Sequence, residues 1–154
     1  MSADEADEAE PDEDGAYSPA EIDHRPLVER QIRERRGQRR FRDSLRDRHG
    51  DRCLVSGCEI LAVLEAAHIS PYRGENDNHP ENGLLLRSDI HTLFDLDLLG
   101  IEPEQMLVEL HPGLVEEYSR LSGNRLGCHE GKRPSREAMR QRYQRFQERL
   151  QRPL

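Results

Sequence analysis

The sequence predicts a small α+β protein, and three observations carry that prediction. Helical patterns dense in arginine lie towards both ends, at 26–50 and from about 135 onward. Between them stand short apolar runs bounded by Pro, Gly, Asn and Asp clusters, which is how short strands and their turns read. The chain has 154 residues, enough for one domain with extensions.

Four segments are expected: an acidic tail over 1–23, an Arg-rich helical segment over 24–52, a core over 53–131 and a basic C-terminal helix over 132–154. Residues 1–23 hold ten acidic side chains and no Lys or Arg, with almost nothing apolar to bury, so they are expected to be a disordered, solubilising tail. In the next segment Leu27, Ile32, Phe41 and Leu45 are sparse apolar anchors among arginines, and Gly37 is a point where the helix can split in two. "HGDRC" (49–53) reads as a turn.

Leu61–Ile69, "LAVLEAAHI", suits helix or strand by composition; the sharp stop at Pro71 favours a strand of a hairpin. "PYRGENDNHPENG" (71–83) is a turn-rich loop, and Leu84–Leu86 a short buried strand. Ser88 or Asp89 is expected to cap a helix running to about Leu96, with Leu93 and Leu96 facing inward. "LLGIEP" and "MLVEL" read as two further strands, followed by a helical piece near 114–121 and a last helix starting near Ser135.

Only 34% of the chain is hydrophobic and 35% is charged, so the core is modest. The net charge of −8 conceals an alternation: −10 over 1–23, +5 over 29–52, −10 over 53–131 and +6 over 132–154. Its overall sign argues against a polyanionic partner, whereas two basic segments flanking an acidic middle permit one. A plain reading stays beside it: arginine outnumbers lysine 22 to 1, as genome composition or a salty cytoplasm can produce.

No apolar stretch approaches the roughly 18 residues that span a bilayer, and the N-terminus is acidic where a signal peptide needs positive charge. A cytoplasmic protein without membrane contact is expected. Three cysteines make no disulfide framework. Cys53, Cys58, Cys128 and His129 supply zinc-binding atoms, but their spacing fits no standard knuckle, so they are read as small core or surface thiols.

The chemistry concentrates in the helix after the third apolar run. His91 and Asp95 stand four residues apart and so share a helical face. Imidazole nitrogen and carboxylate oxygen together suit zinc, manganese, nickel or magnesium. Two protein ligands would leave open positions for water and substrate, as a catalytic ion requires. Ahead of this helix lies His68, at the end of the expected strand. Asn82, before Gly83, is placed to hydrogen-bond backbone across the loop.

"EAAHISPY…NHPENGLLLRSDIHTLFD" (65–95) resembles the signature of the HNH endonucleases, in the subgroup with an "AAHI.P" segment and an "NGLLLR.D.HTLFD" segment. His68, Asn82 and His91 supply the H…N…H order. The resemblance spans roughly Cys53 to Leu98.

The resemblance implies a ββα-metal (His-Me finger) core, here flanked by Arg-rich helices, with an extra hairpin. It implies that His68 is the general base for an attacking water, a task suited to a histidine because its ordinary pKa lies near 6.5. Asn82 would brace the hairpin. His91 would bind a divalent ion, Mg2+ foremost with Mn2+, Ni2+ or Zn2+ as alternatives, and Asp95 stands where relatives often place a second histidine. Hydrolysis of duplex DNA to 5′-phosphate ends, with low sequence specificity and a role in restriction or defence, is the implied activity.

Two departures qualify the pattern. Ala67 stands where many members carry a metal-binding His or Asp immediately before the base; Glu65 or Asp89 are the candidate substitutes. The paired cysteine knuckles of zinc-stapled relatives are absent. A nucleic-acid-binding module that has kept the fold and lost turnover is therefore the alternative, with a partner-binding interaction protein as a third reading.

Overall fold

In a computed structural model, which describes residues 15–23, 25, 26 and 28–154, the Arg-rich segment forms helix α1, Glu29–His49. Most of the expected acidic tail (1–14), together with His24 and the expected anchor Leu27, lies outside the described residues. Ile32, expected as an anchor on the first half of α1, is exposed. Phe41 and Leu45, one turn apart on the second half, are buried.

Gly37 does not split the helix, because its arginine and glutamine neighbours are good helix formers. A Cβ at this position would stand 3.1 Å from Asn78 Nδ2, so the glycine lets the following loop come close. The helix stops at Gly50, whose φ of 79° favours glycine and whose N–H reaches Arg46 O at 2.8 Å.

Strand β1, Leu64–His68, pairs antiparallel with β2, Gly83–Arg87, with Leu64 opposite Arg87 and His68 opposite Gly83. The intervening loop contains two 3-10 turns, Glu75–Asn78 and Pro80–Asn82. Opposed residues share a face of the hairpin. A Cβ on Gly83 would fall 2.5 Å from the Phe41 ring, so the His68–Gly83 face is the one that meets α1. By alternation Glu65 and Ala67 lie on the other face.

Helix α2, Ser88–Asp95, follows β2 directly and covers that other face, burying Ile90, Leu93 and Phe94. The expected Ser88 or Asp89 cap does not form: Arg87 occupies the cap position, and the Asp89 carboxylate turns back onto the Arg87 guanidinium at 2.7 and 3.1 Å. Leu96, expected inward, is exposed because the helix ends at Asp95 and the chain turns away there.

Strands β3, Leu99–Glu102, and β4, Leu107–Leu110, form a second antiparallel pair, as the apolar runs predict. The helix expected near 114–121 is instead a 3-10 turn, Pro112–Leu114, followed by irregular turns. There Tyr118 N–H reaches back four residues to Leu114 O, while Val115 and Leu121 close three-residue turns. The last helix, α3, Arg136–Arg149, starts with Ser135 Oγ accepting from Ala138 N–H at 3.2 Å and lies across β3. The molecule is thus α+β, with a ββα unit held between two arginine-rich helices. No helix among the described residues is long and apolar enough to cross a membrane.

Candidate active site

The hairpin and α2 carry all four residues singled out in the sequence. His68 ends β1 and stacks on Phe41 of α1, with ring centroids 4.4 Å apart and planes 12° from parallel. Tyr72 leans on its other side at 5.5 Å. Its Nε2 lies 2.8 Å from Asn78 Oδ1. That oxygen only accepts, so the ring proton sits on Nε2 and Nδ1 keeps its lone pair.

Asn82 is buried, and its amide is fully used. Oδ1 accepts from Ser70 N–H at 2.8 Å, and Nδ2 donates to Ser70 O at 3.1 Å and Asp77 O at 2.9 Å. The two bonds to Ser70 tie the ends of the loop to one another just beyond His68, and the third holds Asp77 in the middle of the loop. Bracing of this kind is what the sequence anticipates for this residue.

On α2, His91 lies between two carboxylates. Its Nδ1 is 2.8 Å from Glu65 Oε1 and its Nε2 is 3.1 Å from Asp95 Oδ2. The Asp95 bond raises the His91 pKa; burial opposes this and Glu65 assists. Burial works to raise the Asp95 carboxyl, but His91, Arg142 and His68 outweigh it and the net shift is downward.

Whether this pair suits a divalent ion can be judged from its geometry. Metal–ligand bonds near 2.0–2.1 Å put two adjacent ligand atoms about 3 Å apart, which is the separation between His91 Nε2 and Asp95 Oδ2. Glu65 holds the opposite nitrogen, as carboxylates commonly do behind a metal-binding histidine. The residues fit a two-ligand ion site. Glu65 stands behind His91 rather than beside Asp95, so it does not replace the donor missing at Ala67, and Asp89 is taken up by Arg87 and the Tyr118 hydroxyl. Among the described residues no three His, Cys, Asp or Glu side chains converge on one point.

Other sequence candidates serve the scaffold. His79 Nδ1 accepts from Glu81 N–H at 3.1 Å within the loop. Cys53 is buried, Cys58 and Cys128 are partly so, and all three are free thiols that form no zinc cluster among the described residues.

Sequence reasoning missed Asn78, Phe41 as the platform for His68, and Arg142. Asn78 had a signal in the polar "NDN" before His79; Arg142 had none among 22 arginines. It is 7% exposed and donates from Nη2 to Phe94 O at 2.6 Å and from Nη1 to Ile69 O at 3.3 Å. It thus joins the residue after His68 to the residue before Asp95.

Residues 53–102 match a family model described as HNH endonuclease, so the resemblance read from the motifs is borne out over that segment. No curated protein gives a significant match. Among solved structures the chain is similar to a "Modification dependent TagI restriction endonuclease", with 24% identity and a TM-score of 0.46, over 64% of this chain and 34% of that one. The chain therefore covers about a third of that protein's length.

Proposed function

We propose that this chain is a metal-dependent endonuclease that hydrolyses DNA phosphodiester bonds. The observation that carries the reading is the His91–Asp95 pair of α2, whose Nε2 and Oδ2 stand 3.1 Å apart as two ligands of one ion would, in a ββα unit whose first strand ends at His68. The family match over 53–102 supports it.

His68 Nδ1 takes a proton from water as the water oxygen bonds to phosphorus. The P–O3′ bond breaks, the 3′ oxygen leaves and is protonated by solvent, and a 5′-phosphate remains. Asn78 fixes the tautomer that makes Nδ1 the base, and Phe41 fixes the ring plane. Asn82 holds the loop on which Asn78 sits. His91 and Asp95 would hold a divalent ion, which when bound offsets charge on the phosphate and departing oxygen. Glu65 keeps the His91 ring turned so that Nε2 faces Asp95.

Nicking of supercoiled plasmid with magnesium, manganese, nickel or zinc tests the reading. Cleavage abolished by His68→Ala, with metal binding retained, is the expected result. Salt-sensitive DNA binding with no cleavage under any metal would favour the second reading, a DNA-binding module without turnover. Ala67, which leaves the ion two protein ligands rather than three, is the feature that keeps this alternative in view.

A further inference from the structure

Beside His68, between α1 and the 72–80 loop, lies an open cleft of about 730 Å³. This is within the roughly 300–1,000 Å³ typical of small-molecule sites. Phe41, Tyr72 and Asn78 line it, and each of them also contacts His68, so the cleft lies against the side chains that hold the base, although His68 itself is not in its wall. Arg36 and Arg40, four residues apart on one face of α1, stand on one wall and Arg73 on the other. Glu34 and Glu75 share the rim, leaving a net positive charge.

Several arginines elsewhere in the fold are spent on backbone carbonyls, as Arg42, Arg48, Arg52 and Arg142 are, or on carboxylates, as Arg46 and Arg87 are. Arg36, Arg40 and Arg73 have no side-chain bond or ion pair among the described residues. Tyr72 keeps 41% of its surface exposed, and a second hollow, lined by Gln31, Arg35 and Gln38, adjoins it. An exposed aromatic ring beside unpaired guanidinium groups is the chemistry that receives a base and its phosphate.

We propose that this cleft is a subsite for one nucleotide of the DNA strand next to the scissile phosphate, with its phosphate on Arg36 and Arg40 and its base laid on Tyr72. The subsite rests on the nuclease reading for its neighbour, His68, but can be tested without turnover. The probe is a fluorescein-labelled 20-mer, as duplex and as single strand, titrated with the full chain in EDTA and followed by anisotropy over a range of salt.

Arg36→Gln with Arg40→Gln is expected to weaken binding about tenfold at low salt and to reduce the salt slope by about one, the release expected for one phosphate contact. Tyr72→Ala is expected to cost about tenfold and Tyr72→Phe little. A single abasic site moved along the strand should find one position at which Tyr72→Ala has no further effect. Variants that bind within twofold of the parent with an unchanged slope would overturn the subsite, as would competition by micromolar free dAMP, which would make it a mononucleotide pocket. The anisotropy result decides the subsite whether or not plasmid is nicked, so its failure and that of the nuclease reading are separable.

Discussion

Replacing Arg142 should damage both the fold and the site, and the structure allows the two losses to be distinguished. The side chain donates to Phe94 O and Ile69 O, and its guanidinium carbon lies 4.5 Å from the centroid of the Phe94 ring. Its Nε is 3.1 Å from Asp97 Oδ1 yet neither atom makes a hydrogen bond, so that pairing is electrostatic only. Two hydrogen bonds from a charged donor contribute about 1.5–3 kcal/mol each, and the ring contact about 0.5–2. Desolvation of the guanidinium offsets much of this gain; burial pulls its pKa down while Asp97 and Asp95 oppose that.

Arg142→Ala also strands two carbonyls and opens a cavity, so a loss of about 3–5 kcal/mol is expected. In urea denaturation this should appear as a lower midpoint, and on heating as a Tm reduced by roughly 6–20 °C. Arg142→Met fills the volume and removes the desolvation cost, so about 1–2 kcal/mol should be lost. The methionine variant remains folded but no longer links the residue after His68 to the residue before Asp95. A displacement near 1 Å there can cost about 100-fold in rate, so plasmid nicking should fall by roughly 10–100-fold. Nicking by Arg142→Met at the parent rate, or a loss below about 1 kcal/mol for Arg142→Ala, would refute the account of Arg142 as a clamp.

Further outcomes follow from the same geometry. Gly83→Ala places a methyl 2.5 Å from the Phe41 ring and 2.8 Å from Leu45; overpacking should cost about 1–3 kcal/mol by urea denaturation and, because Phe41 supports His68, slow nicking as well. Asn78→Asp keeps an acceptor at His68 Nε2 but adds a negative charge, which favours imidazolium. The acid limb of the rate profile should therefore move to higher pH, while Asn78→Ala should lower the rate about tenfold or more through loss of the fixed tautomer. Burial, assisted by the Arg48, Lys132, Arg52 and His129 charges, lowers the His49 pKa to about 4, and its Nδ1 has no partner. The unfolded chain takes up that proton near pH 6.5, so stability is full above that pH and declines as pH falls towards 4. About 2 kcal/mol should be lost between pH 7 and pH 5, and His49→Gln should flatten that limb in pH-dependent urea titrations.

The ββα unit was legible because its signals are local. Strand β1 ends where Pro71 and the loop demand it, Asn82–Gly83 marks the return, and α2 shows Leu93 as an inward residue, to which the fold adds Ile90 and Phe94. His68, Asn82, His91 and Asp95 could be named for the same reason: each stands at a fixed interval within one short stretch. What could not be read depends on contacts across the chain. Nothing near Arg142 in sequence announces that it will meet Ile69 O, 73 residues away. Leu96 had the right spacing to face inward and is exposed only because the helix ends one residue earlier. The 114–121 segment had helical spacing too, yet its bonds close short turns.

The arginines carry the widest consequence of that distinction. As a sequence they form a charge run that reads as a solvated face or a phosphate-binding face, and composition cannot divide them. In the fold they divide by where the backbone has left carbonyls bare. Arg42 serves Leu61 O and Leu64 O at the entrance to β1, Arg48 serves Lys132 O and Arg133 O ahead of α3, and Arg142 serves Ile69 O, just after His68, and Phe94 O, just before Asp95. These side chains keep α1 and α3 fixed against the ββα unit. A guanidinium held by two carbonyls has few donors left for phosphate, so the arginines available to DNA are those with no such duty, Arg36, Arg40 and Arg73 beside His68 among them. Neutralising a structural arginine should therefore lower stability and leave the salt dependence of DNA binding unchanged, whereas neutralising one of the cleft arginines should do the reverse.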